Sequence, residues 1–206
     1  MALSSSSAVS KDFPQPAIDI AAKPGESEQR AIFAGGCFWC TEAVYRELDG
    51  VKSVVSGYSG GAKATANYEA VCGGRTGHAE AIEIRFDPNK TSYGELMKIF
   101  FAVAHDPTTL NRQGNDVGTQ YRSAIFYETE EQKKVAAAYI DQLNKAKVFD
   151  DPIVTTLEPL EAFYPAEDYH QDYVKRNPYQ PYVMFAATPK VEKLKKYYPE
   201  RLKKKA

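Results

Sequence analysis

Two cysteines stand one helical turn apart directly behind a double glycine, in the run Gly35-Gly36-Cys37-Phe38-Trp39-Cys40, and a short apolar stretch leads into them. The run reads as strand, tight turn and helix, which places both sulfurs at a helix opening. A helix that begins at Cys37 aims unpaired backbone N–H groups and the positive end of its dipole at that sulfur, lowering the thiol pKa. Cys37 is therefore the expected nucleophile of a redox thiol site. Residues three apart on a helix have Cβ atoms about 5–6 Å apart, so Cys40 can reach Cys37 to close a disulfide with modest adjustment. On spacing alone, the same pair also fits half of a zinc site or two buried structural thiols.

The chain has 206 residues, 43% of them hydrophobic, enough for one sizeable core without staples. Its 26 basic and 27 acidic residues leave a net charge of −1, which argues against nucleic acid as a partner. Three cysteines are too few for a disulfide framework, and Cys72 has no near partner in sequence, so a reducing compartment, the cytoplasm, is expected. Residues 1–28 are rich in Ser, Ala and Pro and read as a flexible arm, with a single catalytic domain over 29–206. Asp12 and Asp19 argue against a transit peptide, no segment approaches membrane-spanning length, and the lysines of 191–205 read as a solvated last helix and tail.

Between these ends, strand and helix signals alternate. Residues 29–34 predict a strand entering the cysteine turn, and 38–48 a helix whose repeating face carries Trp39, Ala43 and either Val44 or Leu48, ended by Gly50. Residues 51–58 and 81–88 predict strands, the latter alternating Ile82, Ile84 and Phe86 against Glu83 and Arg85. Ser92 with Glu95 forms a capping-box pattern for a helix through Val103, and Thr129 caps one over 130–147. Further strands are expected over 123–127 and 153–158. The pattern predicts an α+β two-layer sandwich and leaves the strand order open.

Two polar stretches stand out. The first, YEAVCGGRTGHAE over 68–80, delivers Glu80 to the head of the alternating strand on the apolar side, where burial would raise its pKa and make an acid available near neutral pH. The plainer reading is a solvated glutamate at a strand end. The second is a glycine-punctuated loop over 111–123 that contains Asp116 and Tyr121; it fits either a binding loop or a self-bonded turn. An aromatic and acidic stretch over 163–173 lines a pocket or packs its tyrosines on the core.

GGCFWC at 35–40, YEAVCGGRTGHAE at 68–80, QGNDVGTQYRS at 113–123 and AEDYHQ at 166–171 together resemble the peptide methionine sulfoxide reductase A family, in order and over roughly 30–189. The resemblance implies an α+β fold with a ferredoxin-like core, a mixed sheet and packed helices. It also implies reduction of methionine S-sulfoxide, free or in proteins, with no metal or cofactor and with thioredoxin as reductant. By motif position, Cys37 is the nucleophile, Phe38 and Trp39 the apolar wall around the substrate methyl, Glu80 the acid, and Tyr68, Asp116 and Tyr121 the polar pocket. The chemistry agrees. A thiolate attacks a sulfoxide sulfur only if an acid and hydrogen-bond donors relieve the oxygen, and the sulfenic acid that results needs a second thiol.

The chain departs from the family pattern after Asn177-Pro178-Tyr179, where Gln180-Pro181-Tyr182-Val183 replaces the stretch in which many members carry a recycling cysteine. Cys40 is the expected substitute, with Cys72 or an external thiol as the other candidates. A thioredoxin-like dithiol oxidoreductase would leave the 68–80 and 113–123 stretches without a role. A zinc module would need four ligands, and the three cysteines with His78, His105 and His170 show no paired spacing.

Overall fold

The computed structural model describes residues 12–204. Its frame is a six-stranded mixed sheet built from β1 (Gln29–Gly35), β2 (Val51–Ser59), β3 (Ala79–Phe86), β6 (Ser123–Tyr127), β7 (Thr156–Pro159) and β8 (Phe163–Pro165), in the spatial order β7-β6-β1-β3-β2-β8. All neighbours run antiparallel except β6 and β7. The helices are α1 (Phe38–Arg46), α2 (Tyr68–Cys72), α3 (Tyr93–Ile99), α4 (Glu130–Lys145), α5 (Tyr173–Arg176) and α6 (Thr188–Tyr197), and a short ribbon pairs β4 (Arg112–Gln113) with β5 (Asp116–Val117).

Strand alternation explains the layering. On β1, Ala31 and Phe33 join the main core under the helices, while Ile32 and Ala34 point to a small second cluster with Ala79, Ala81, Ala124 and Phe126. Ile82, Ile84 and Phe86 of β3 enter the main core together, as their spacing predicted. On the opposite face, four alanines together with Ile32 and Phe126 are packed by Leu160 and by Phe163 of β8. The result is the expected α+β two-layer arrangement.

Local signals set most helix ends. Ser92 accepts from Glu95 N while Glu95 reaches back to Ser92 N, completing the capping box of α3, and Thr129 accepts from Gln132 N at the start of α4. The helix expected through Val103 leaves the α-helical ladder at Ile99 and widens into a π turn over Phe100–Ala104. The His105 ring donates from Nδ1 to the Phe100 carbonyl at 2.9 Å and so satisfies that turn. On α1 the buried residues are Phe38, Cys40, Thr41, Glu42, Val44 and Tyr45, whereas Trp39 and Ala43 are half-buried. The strand expected from residue 153 begins at Thr156, because Ile153 N donates to Asn144 Oδ1 and Val154 N to Pro107 O.

The stretch expected to be a flexible arm carries specific contacts from Phe13 onward; residues 1–11 lie outside the described residues. Phe13 is 4% exposed and stands edge-on to Phe149. Tyr139 donates to Pro14 O at 2.6 Å, and Asp19 accepts from Gly94 N at 2.7 Å at the start of α3. A composition rich in Ser and Pro hides these anchors, since each rests on a single contact with a residue far away in sequence.

Candidate active site

The turn from β1 into α1 requires Gly36. Its φ is +84°, and a Cβ there would stand 2.3 Å from Gln113 Cγ. Cys37 therefore occupies the N-cap of α1, where it is 8% exposed and its side chain makes no capping hydrogen bond. The first free N–H of the helix, that of Phe38, donates instead to Glu80 Oε2 at 3.0 Å.

Glu80 arrives from β3, opposite Tyr58 of β2, and is 2% exposed. Burial is the main cause that pushes its pKa up to about 8; the Phe38 N–H opposes this, and Asp116 and Cys40 add to it. The carboxyl is thus protonated at neutral pH, as the strand register predicted.

The two thiols are free, and each shifts the titration of the other. Here the sequence expectation is corrected. Burial raises the pKa of Cys37, reinforced by Cys40 and Glu80, whereas Cys40 is lowered to about 7, chiefly because Cys37 donates to it and further because Lys190 lies near. The helix N-terminus cannot reverse the order at Cys37, because its leading N–H serves Glu80 and the sulfur is out of water.

The polar residues gather around these groups. Tyr68 opens α2, anchored by its N–H to Glu167 Oε1 at 2.8 Å, and Tyr121 closes the turn Thr119–Tyr121. Burial raises both phenols, with Glu80 and Cys37 among the nearby charges, so both remain donors. Asp116 of β5 accepts from the Tyr182 hydroxyl at 2.5 Å, and that hydroxyl oxygen lies 4.0 Å from Cys40 Sγ. Cys37, Cys40, Asp116, Tyr182 and Lys190 line one cavity.

Phe38 and Trp39 differ. Phe38 is fully buried beside Tyr58 and His170, at ring-centroid distances of 5.8 and 5.1 Å. Trp39 stacks flat on Tyr173 at 3.7 Å and donates from Nε1 to His170 Nδ1 at 3.1 Å. Because indole only donates, the His170 proton is on Nε2, which stands 3.8 Å from Glu167 Oε2, too far for a hydrogen bond. His170 is 1% exposed, and burial lowers its pKa, which keeps it neutral.

Sequence reasoning noted the 163–173 stretch without assigning its residues. The structure gives Glu167 the task of joining Tyr58, which donates to it at 2.8 Å, to the start of α2, and places His170 beneath Tyr68 at 4.5 Å. The pairing of β8 with β2 delivers both residues. Tyr182 was read only for the missing cysteine beside it; its partners are 142 and 66 residues away, beyond any local pattern. Cys72 is exposed at the end of α2, next to Tyr68.

A protonated carboxyl held beside two neighbouring thiols, among phenol donors on an α+β frame, defines a thiol oxidoreductase site. A model of the family described as peptide methionine sulfoxide reductase matches residues 29–202. The chain is 56% identical over 196 residues to peptide methionine sulfoxide reductase MsrA 2 of Synechocystis sp., covering 94% of this chain and 92% of that protein. It is 57% identical over 181 residues to MsrA of Deinococcus radiodurans, covering 88% and 87%. Among solved structures, the reduced form of Mxr1 from Saccharomyces cerevisiae superimposes with a TM-score of 0.68 at 32% identity, over 84% of this chain and 94% of that one. Methionine sulfoxide reductase A of Corynebacterium diphtheriae gives 0.64 at 34% identity, over 82% and 85%. The chain belongs to the peptide methionine sulfoxide reductase A family.

Proposed function

We propose that Cys37 attacks the sulfur of methionine S-sulfoxide while Glu80 protonates its oxygen, and that Cys40 then resolves the oxidised enzyme. The protein is a methionine sulfoxide reductase, an oxidoreductase that returns oxidised methionine to methionine and so repairs oxidised proteins. The observation that carries the residue assignment is the Phe38 N–H bond to Glu80, which fixes a buried, protonated acid one residue from the nucleophile.

The proton inventory runs through the cysteine pair. Cys40 accepts the proton of Cys37, and the Cys37 thiolate bonds to the sulfoxide sulfur. Glu80 gives its proton to the oxygen, with Tyr68 and Tyr121 donating hydrogen bonds to it. The oxygen then passes with its proton from the substrate sulfur to the Cys37 sulfur: the methionine S–O bond and the transient Cys37–methionine S–S bond break, an S–O bond forms on Cys37, and methionine leaves behind a sulfenic acid. Cys40 attacks that sulfur, water departs, and a Cys37–Cys40 disulfide forms. An external dithiol reopens it through a mixed disulfide, and thioredoxin in a reducing cytoplasm fits that role. Phe38 and Trp39 supply the apolar wall for the substrate methyl, and Asp116 completes the polar side of the pocket with Tyr182. The catalytic domain extends over 29–206, with the segment from Phe13 strapped to its helices.

The test is turnover of the separated sulfoxide epimers of N-acetylmethionine amide with dithiothreitol. The S epimer is reduced and the R epimer is not; equal reduction of both, or of neither, overturns the assignment.

A further inference from the structure

Lys190 and Lys193 stand one turn apart on α6, half-buried, and neither has an ion-pair partner among the described residues. Lys195, on the outward side of the same helix, has an acid a turn away in Glu192 at 3.4 Å. The inward pair has none. Burial and the charge of Lys190 lower the pKa of Lys193 to about 8, and Asp106 offsets this only in part, so the ammonium is short of a counter-charge. The nearby carboxylates are engaged elsewhere. Asp106 accepts from Thr108 N and Oγ1 at 2.9 and 2.6 Å, and Asp116 accepts from the Tyr182 hydroxyl.

The pair stands where two cavities meet. One, of about 470 Å³, is lined by Cys37, Cys40 and Lys190, and the other, of about 230 Å³, by Asp106, Phe149 and Lys193. Gln113, Pro189 and Lys190 belong to both walls. Joined, the two fall inside the range of small-molecule sites, about 300–1,000 Å³. A molecule lying across them has one end against both sulfurs and the other beside both ammonium groups. Glu80, Tyr68, Tyr121, Phe38 and Trp39 line neither cavity, so the groups that handle a sulfoxide stand off this approach.

Resting on the reading that a Cys37–Cys40 disulfide closes the catalytic cycle, we propose that this cleft binds a small thiol bearing carboxylates, which Lys190 and Lys193 hold while its sulfur reduces that disulfide. The thiolate of the bound molecule attacks the Cys37 sulfur, the Cys37–Cys40 bond breaks, and Cys40 leaves with the electron pair. Cys37 is the more exposed of the two sulfurs, and Cys40, the more acidic thiol, is the better leaving group. A second molecule of thiol attacks the sulfur of the first and releases Cys37. Two thiols become one external disulfide, and their two electrons and two protons end on Cys37 and Cys40. The route runs beside thioredoxin and does not replace it.

Two probes test this: glutathione, a thiol with two carboxylates, and its diethyl ester, which keeps the size and the thiol and removes both negative charges. Protein oxidised by one equivalent of N-acetylmethionine amide S-sulfoxide is reduced by each, and free Cys37 and Cys40 are followed by alkylation and peptide mass spectrometry. Corrected for thiolate fraction, glutathione is faster than the ester by about tenfold at low salt, and high salt cuts that ratio to about threefold. K193Q lowers the low-salt ratio to about threefold, K193E brings it to about one or below, and K193R keeps it. Dithiothreitol, which is uncharged, reduces all three variants within about twofold of the native rate. A native ratio near one, or a ratio unmoved in K193E, overturns the site. So does slower reduction by thioredoxin in K193E with the glutathione ratio unmoved, which would make the lysines a protein-docking surface. Oxidised native protein without a Cys37–Cys40 bridge would instead refute the resolving role of Cys40, and the site with it.

Discussion

Strand β3 carries two buried glutamates three residues apart, on opposite faces, and they have opposite surroundings. Glu83, on the small-residue face, is bound by Arg30 at 2.8 Å and by Arg85 at 3.0 Å. Glu80, on the helix-covered face, accepts one backbone N–H and pairs with no cation among the described residues. A carboxyl sealed away with cations becomes a rivet between strands; one sealed away with a single amide keeps its proton and becomes a donor. The same residue type on one strand thus serves the frame at one position and the chemistry at the other, and the neighbours alone decide which.

The largest expected effect lies at the chemical end. C37S abolishes sulfoxide reduction, because a hydroxyl of far higher pKa cannot replace the thiolate; appreciable methionine formation in that variant would break the assignment. C40S releases about one methionine per enzyme in a single turnover and then stalls with thioredoxin, since the sulfenic acid lacks a thiol within reach. Undiminished thioredoxin-driven turnover, or a Cys37–Cys72 bridge in peptide mass spectrometry of the oxidised protein, would transfer the resolving role.

The two glutamates separate in the next pair of variants. E80Q lowers kcat by roughly 10²–10⁴ with the fold intact, because an amide hydrogen-bonds but delivers no proton. E83Q leaves kcat within about twofold and instead costs about 1–2 kcal/mol, the low end for such a pair because the Arg30 and Arg85 side chains are 32% and 44% exposed. Thermal unfolding and single-turnover rates on both proteins reveal whether the division holds; a large rate loss in E83Q would erase it.

The pH profile is a subtler test. The acid works only below the Glu80 pKa of about 8, and the thiol pair supplies a thiolate only above about 7, so kcat/KM is bell-shaped with a narrow top between these values. In E80Q the fall on the alkaline side disappears while the acid side remains.

How much of this was legible depends on where each cause lies in the chain. The cysteine turn, the capping box at Ser92 and the strand Ser123–Tyr127 depend on neighbours within a few residues, and they stand where the sequence put them. Glu80 was readable because alternation ties it to Ile82, Ile84 and Phe86. The strand order, the His170 seat beneath Tyr68 and the Tyr182–Asp116 clasp join residues tens to over 100 positions apart, and no periodicity encodes such pairs. The expected lowering of the Cys37 pKa failed for the same reason. A helix dipole is visible in sequence, but the diversion of its first N–H to a carboxyl 42 residues away is not.

The central claim is that Glu80 is a neutral acid in the resting enzyme. Carbon-13 NMR titration of glutamate-labelled protein, with the Glu80 carboxyl assigned by its loss in E80Q, measures this without substrate. The account predicts a midpoint near 8, far above the ordinary range for glutamate. A midpoint below about 5 would mean that Glu80 is ionised beside Cys37 at neutral pH and cannot be the proton donor.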